Sequence, residues 1–224
     1  MNKWFKTLVV GALSLLAMTS QAADKTTSTT DFQEGVHYTT LPGPSTTKPE
    51  VTEYFSYYCP HCYRLEPVVE QMKANLPKGM AFKRSHVDFL RFDSQSNQET
   101  LTRADSAAVR LGVEHKMTNA LFEAIQIKKK RFSEDADLLP LFMSVGITED
   151  SAKKALSSFS VKRDTKVQLN KQGELLRARA LPGVPTLIVN GKYRLNFKHL
   201  SKTNFVGDLN ALIAHLEQFP VTKG

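Results

Sequence analysis

Two residues in this chain are placed to do redox chemistry together: Cys59 and Cys62, separated by Pro60 and His61, and they are its only cysteines. Thiol–disulfide exchange needs an accessible sulfur that forms a thiolate near neutral pH, and a second thiol close enough to displace a bound partner. A helix would supply both conditions here. Leu65, Val68, Val69, Met72 and Leu76 recur at helical spacing and stop before Pro77 and Gly79, so a helix is predicted to begin just after Cys59. At a helix N-terminus the free N–H groups and the dipole favour negative charge, which lowers a thiol pKa. Pro60 suits the first helical position, where a missing N–H costs nothing. His61 offers the Cys59 thiolate a donor or a positive charge, and Cys62, one turn along and less exposed, can close the disulfide.

Other uses of a cysteine pair fit less well. Zinc would require two more ligands, and His37, His86, His115, His199 and His215 contain no pair at finger spacing. Covalent haem attachment wants a histidine directly after the second cysteine, where Tyr63 stands. A purely structural bridge across two residues closes a very small loop, and the entropic gain from cross-linking grows with loop length. No metal or other cofactor is expected beyond the Cys59–Cys62 disulfide itself.

The elements around the pair form a recognisable series. Val51 to Tyr58, dense in aromatic and β-branched residues, reads as a buried strand, and Met80 to Val87 as a second. Strand, helix, strand is the context in which closely spaced cysteines read as redox-active. From about Asn97 to Ala180 the pattern changes to amphipathic helices, with stripes such as Met117, Ala120, Leu121, Ala124, Ile125 and Ala152, Ala155, Leu156, Phe159; these stripes are expected to face a core. Gly146 is a plausible stop and Thr148 a plausible N-cap within that block. Pro185 to Val189 then reads as a strand, joined through Asn190-Gly191 to Tyr193–Leu195 in a tight hairpin. Phe205, Leu209, Leu212, Ile213 and Leu216 mark a closing helix, and His37 to Leu41 a short edge strand. No internal repeat is visible. The fold class is α/β, a compact sheet interrupted by a helical block.

Gly183-Val184-Pro185-Thr186 opens a strand, a place where proline is tolerated. Pro185 can be a plain strand starter. A cis Val184–Pro185 bond would instead turn the Val184 backbone toward a neighbouring site, and cis proline is usually a deliberate feature.

The ends and the composition bear on where this chemistry takes place. Lys3 and Lys6 precede the apolar run Leu8 to Ala17, and Ser20-Gln21-Ala22 carries the small residues of a cleavage site, so residues 1–22 read as a secretory signal peptide with the mature chain starting at Ala23, cutting one residue later being the alternative. A membrane anchor would need a longer apolar stretch of about 20 residues. The formal charge of +8 falls to +6 without the signal, 28 basic against 22 acidic residues. Lys128-Lys129-Lys130-Arg131 lacks interleaved aromatics, and a solvated helix end suits it better than a nucleic-acid patch. No nucleic-acid partner is expected.

Glu53-Tyr-Phe-Ser-Tyr-Tyr-Cys59-Pro60-His61-Cys62-Tyr63, together with Gly183-Val184-Pro185-Thr186-Leu-Ile-Val-Asn190-Gly191-Lys192-Tyr193 and Leu111-Gly112-Val113-Glu114, resembles the DsbA family of bacterial periplasmic thiol:disulfide interchange proteins. The resemblance covers nearly the whole mature chain. It implies a thioredoxin fold carrying an inserted all-helical subdomain, with 23–90 and 181–224 forming the discontinuous thioredoxin-like domain and 91–180 the insertion. It also implies a strongly oxidising pair, a cis proline at Pro185 facing the disulfide, and substrate binding by Val184 and Pro185. Glu53 matches an acid buried beneath the site in that family, and burial of an unpaired charge in an aromatic strand would be costly. A proton-handling or tuning role is therefore expected of it, with Arg84 as a possible partner on the next strand. The Thr-rich entry segment is longer than in the family, and the region near 71–80 shorter.

The function expected is a periplasmic protein dithiol oxidase. Its Cys59–Cys62 disulfide would be donated to reduced exported proteins through a mixed disulfide on Cys59. A quinone-linked membrane oxidase of DsbB type would recharge it. A disulfide isomerase or reductase is the alternative within the same chemistry, and a peptide-binding chaperone the alternative outside it. No dimerisation region is evident, so a monomer is expected.

Overall fold

The computed structural model describes residues 31–219, so the expected signal peptide and its cleavage site lie outside the described residues. Five strands form one mixed sheet: β1 (Tyr38–Thr40), β2 (Glu50–Phe55), β3 (Ala81–His86), β4 (Thr186–Val189) and β5 (Tyr193–Leu195), in the order β1-β5-β4-β2-β3. β2 and β3 are parallel, joined by helix α1 (Pro60–Ala74), while β4 runs antiparallel to β2 and β5 to β4. β1 closes one edge against β5, as its short β-rich sequence predicts.

The tight turn between β4 and β5 has a specific cause. Asn190 and Gly191 both adopt positive φ, 52° and 63°, the backbone that matches the twist of a two-residue hairpin. The Asn190 side-chain oxygen also accepts the Glu50 N–H at 3.0 Å, tying the turn to the start of β2.

β2 ends at Phe55, three residues short of the expected Tyr58. Tyr57 is nonetheless buried, because helices cover it in place of a neighbouring strand. The aromatic run thus encodes burial, and only its first part pairs in the sheet. Residues 56–59 form a turn in which the Ser56 carbonyl accepts the Cys59 N–H at 3.0 Å.

Five helices separate β3 from β4: α2 (Gln95–Arg110), α3 (Glu114–Phe122), α4 (Asp135–Ser144), α5 (Glu149–Ser157) and α6 (Phe159–Arg177). α3 runs on into one wider π-type turn, Glu123–Ile127. The local stops and starts are as expected: Gly146, at φ 95°, follows α4, and the Thr148 hydroxyl accepts the Ser151 N–H at the start of α5. Their inner faces meet in one core of Leu101, Ala104, Leu121, Phe122, Leu138, Phe142 and Leu156, and Phe55, Tyr57, Cys59 and Cys62 belong to the same cluster. A separate core lies between the sheet and α1 with α7 (Phe205–Glu217), built from Val51, Leu187, Val189, Val69, Met72, Leu209, Leu212 and Ile213. Each large apolar side chain buried there contributes about 1.5–3 kcal/mol. The cysteine pair therefore sits where the helical block meets the sheet.

Candidate active site

Helix α1 begins immediately after Cys59, whose extended backbone (φ −87°, ψ 112°) places it as the N-cap, with Pro60 in the first turn. Its sulfur accepts the Cys62 N–H at 3.3 Å. Both cysteines are free thiols here, Cys62 wholly buried and Cys59 4% exposed. The two are electrostatically unlike. Hydrogen bonding from the Cys62 thiol, aided by the N–H groups of Cys62 and His61, holds the Cys59 pKa down at about 6 against the opposing effect of burial. Burial, and then the neighbouring Cys59 sulfur, push the Cys62 thiol far above the ordinary range. One sulfur is prepared to be a thiolate and the other to hold its proton.

His61 is exposed, and its ring Nδ1 pairs with Arg64 Nη2 at 2.9 Å. Its backbone N–H outweighs its ring charge at Cys59, a refinement of the expected ring donor. Across the cleft, the Val184–Pro185 bond is cis, and the Val184 carbonyl accepts from the Cys59 thiol at 3.6 Å. Two segments 125 residues apart in sequence are thus brought to one sulfur.

Beneath Cys62 lies a buried charge cluster. Glu53 on β2 is directly in register with Arg84 on β3 and fully buried. Arg84 Nε lies 2.9 Å from Glu53 Oε2, an ion pair in which the attraction of the charges counts for more than the hydrogen bond. The guanidinium also forks onto Glu66, with Nη1 and Nη2 each 2.9 Å from a carboxylate oxygen, and its central carbon lies 4.0 Å from the centroid of the Phe55 ring. Burial raises the Glu53 pKa to about 7, the Arg84 charge opposing this and the Glu66 charge adding to it. A carboxyl poised near neutrality beneath the buried thiol can give or take a proton there.

Glu66 joins the site in the structure, and the sequence signal for it is its spacing: it lies four residues after Cys62, on the same inward helix face. Other supports had no local signature. Tyr58, beside Cys59, donates from its hydroxyl to Asp93 at 2.6 Å, and Gln126 donates to the Tyr57 carbonyl at 2.6 Å. Tyr57 itself donates to buried Asp105 at 3.0 Å and stacks 5.0 Å from His86, which contacts Ser56 Oγ at 3.4 Å. These residues lock the turn that presents Cys59 to the helical block. Among the described residues there is no cluster of three or more His, Cys, Asp or Glu side chains suited to a metal.

Residues 50–204 match the model of the DSBA-like thioredoxin domain. The thiol:disulfide interchange protein DsbA of Haemophilus influenzae is 37% identical over 211 residues, covering 93% of this chain and 95% of that protein. DsbA of Escherichia coli K12 is 37% identical over 181 residues, 79% of this chain and 83% of that one. Among solved structures, Pseudomonas aeruginosa DsbA superposes with a TM-score of 0.69 at 28% identity, covering 83% of this chain and 95% of that one. Proteus mirabilis DsbA, in complex with a non-covalently bound peptide, gives 0.72 at 29% identity, with coverage of 84% and 98%.

Proposed function

Since this chain belongs to the DsbA family of thioredoxin-fold disulfide oxidoreductases, we propose that its protein dithiol oxidation runs through Cys59, with Cys62 as the resolving sulfur and Glu53 as the proton-handling group beneath it. The single observation that carries this assignment is the unequal placing of the two sulfurs: Cys59 at the helix N-cap accepts the Cys62 N–H and meets the Val184 carbonyl, while Cys62 is wholly buried.

The chemistry follows from that inequality. A substrate thiolate attacks Cys59 Sγ of the oxidised pair; an S–S bond forms between substrate and Cys59, the Cys59–Cys62 bond breaks, and Cys62 leaves. A thiolate with a high pKa is a poor leaving group. A proton delivered as it departs removes that penalty, and Glu53, with its pKa near 7, holds one about half of the time at neutral pH. A second substrate thiolate then attacks the substrate sulfur, expelling Cys59 as a stabilised thiolate. The substrate loses two electrons and the cysteine pair gains them. Stabilising Cys59 as a thiolate favours the reduced enzyme, which makes the disulfide a better oxidant.

Val184 and Pro185 serve as the substrate-binding edge, because the Val184 carbonyl already meets the reacting sulfur and a substrate N–H can take the place of the thiol. Pro60 starts the helix, and His61 tunes the potential chiefly through its backbone. The peptide bound to the Proteus mirabilis relative supports a polypeptide as the substrate. A DsbB-type quinone-linked membrane partner reoxidises the pair, the enzyme acts as a monomer in the periplasm after loss of residues 1–22, and no further cofactor takes part. The working domain comprises 23–90 and 181–224, with 91–180 the inserted helical subdomain.

Alkylation tests the assignment. In the reduced protein, iodoacetamide should modify Cys59 alone, at a rate that rises through a midpoint near pH 6, read by mass spectrometry across pH 4–9. A midpoint near the ordinary thiol value of about 9 would rule the mechanism out.

A further inference from the structure

We propose that the turn Lys128–Arg131, with the cleft beside it, is a docking site for acidic segments of the polypeptides this enzyme oxidises, an inference that rests on the Cys59 exchange chemistry above. Four consecutive cations, all exposed, follow the π-type turn that ends α3. They do occupy a helix end, as expected from sequence. They are also fastened to the active-site turn from two sides. Gln126, just before them, donates to the Tyr57 carbonyl, and Arg131 Nη1 lies 3.3 Å from the Asp93 carboxylate that accepts the Tyr58 hydroxyl. Tyr57 and Tyr58 directly precede Cys59.

The turn is held in shape. Lys130 N donates to the Ala124 carbonyl at 2.9 Å, and Lys129 adopts a left-handed backbone, φ 55°, with its ammonium on the Gln126 carbonyl. Between it and α4 lies a cleft of about 560 Å³, lined by Lys128, Lys130 and Arg131, by the apolar Phe132, Pro140 and Leu141, and by Asp137. Ile127 and Met143 stand exposed nearby, at 59% and 52%. The acids here are mostly committed: Glu123 pairs with Lys128, and Asp137 accepts the backbone N–H groups of Ser133 and Glu134. Among the described residues Lys130 has no acidic partner within salt-bridge distance.

Three cations beside apolar side chains in one cleft fit an extended chain carrying carboxylates and apolar side chains. A concave cleft suits a polypeptide better than a flat lipid surface. The turn is joined through Gln126 to Tyr57, two residues from Cys59, which puts it within reach of an extended peptide held at the reacting sulfur, at roughly 3.3–3.6 Å per residue. Charge of one sign beside a site raises encounter rates with the opposite sign, and salt weakens the effect.

The test uses the pre-oxidised full protein and three dithiol peptides that differ only in a four-residue block beside the cysteines: all Glu, all Gln or all Lys. The ratio of oxidation rates, Glu peptide over Lys peptide, cancels differences in active protein concentration. In the wild type that ratio should be about tenfold at low salt and shrink as ionic strength rises, in line with electrostatic steering. In a Lys128→Gln, Lys129→Gln, Lys130→Gln variant it should fall most of the way to one. A ratio left unchanged by the triple substitution would overturn the proposal. So would a variant that loses binding to phosphatidylglycerol vesicles while keeping the peptide ratio, since that would make the turn a membrane contact. Failure of the wild type to oxidise even the Gln peptide would instead overturn the exchange mechanism, and the docking inference with it.

Discussion

Glu53 and Cys62 illustrate how burial sets chemistry at the residue scale. Both are 0% exposed, and both are pushed toward their neutral forms because the interior disfavours charge. Arg84 tempers this for Glu53 without abolishing it, since its guanidinium is already bidentate on Glu66. The raised Glu53 pKa has a signed consequence for stability. The folded state holds a proton there more tightly than the unfolded chain, so stability declines as pH rises from the unfolded value of about 4.5 through the folded value of about 7. Glu53→Gln removes that decline. The variant should be more stable than the parent at pH 8 by about 1–3 kcal/mol, with little difference at pH 4.5, as measured by urea unfolding; each pKa unit corresponds to about 1.4 kcal/mol. It should also slow substrate oxidation near pH 7, because Cys62 then leaves without its proton donor. A stability difference that does not change with pH would show that Glu53 stays ionised.

Among the elements, α1 does most for the site, since its start makes Cys59 an N-cap and its inward face carries Cys62, Glu66, Val69 and Met72 in one stripe. The β4–β5 hairpin matters for a different reason: it fixes the strand that delivers Val184 and Pro185. Gly191 has φ 63°, and a Cβ there would come within 3.1 Å of Thr46 Cγ2. Gly191→Ala combines backbone strain with that contact and should cost about 1–2 kcal/mol of stability in denaturant unfolding, with the alkylation midpoint of Cys59 unmoved. A neutral substitution would mean that Thr46 and the turn relax freely. The helix, the hairpin and the helical block were legible in the sequence because each carries a local code of periodicity, caps and turn residues. The strand β2 ends before the expected Tyr58 because aromatic density reports burial, and helices can bury Tyr57 as well as strands can.

At the scale of the whole molecule, the oxidation state of two sulfurs is linked to the stability of the fold. In the dithiol form, the Cys59 pKa of about 6 lies below its ordinary value of about 9, so folding releases a proton between them and the reduced form gains stability as pH rises through that window. The disulfide form has no such group. The reduced protein should therefore be increasingly more stable than the oxidised one from pH 6 to pH 9, by up to a few kcal/mol at the upper end. Parallel thermal melts of the two forms across that range would check it. An oxidised form as stable as the reduced one at pH 8 would contradict an oxidant's role.

The sequence by itself determined the type of chemistry and most of the architecture: the Cys59-Pro60-His61-Cys62 spacing at a helix start, the α/β order of elements, and Glu53 as an acid in an apolar strand. These are local properties, written in neighbouring residues. Only the tertiary structure decided what lies across from them. The Val184 carbonyl at Cys59, the Arg84 fork that prefers Glu66 to Glu53, the Asp93 carboxylate on Tyr58 and the basic turn fastened to the active-site loop all join segments 18 to 125 residues apart. Their pairing depends on how the helical block closes over the sheet, and no local pattern of residues encodes that.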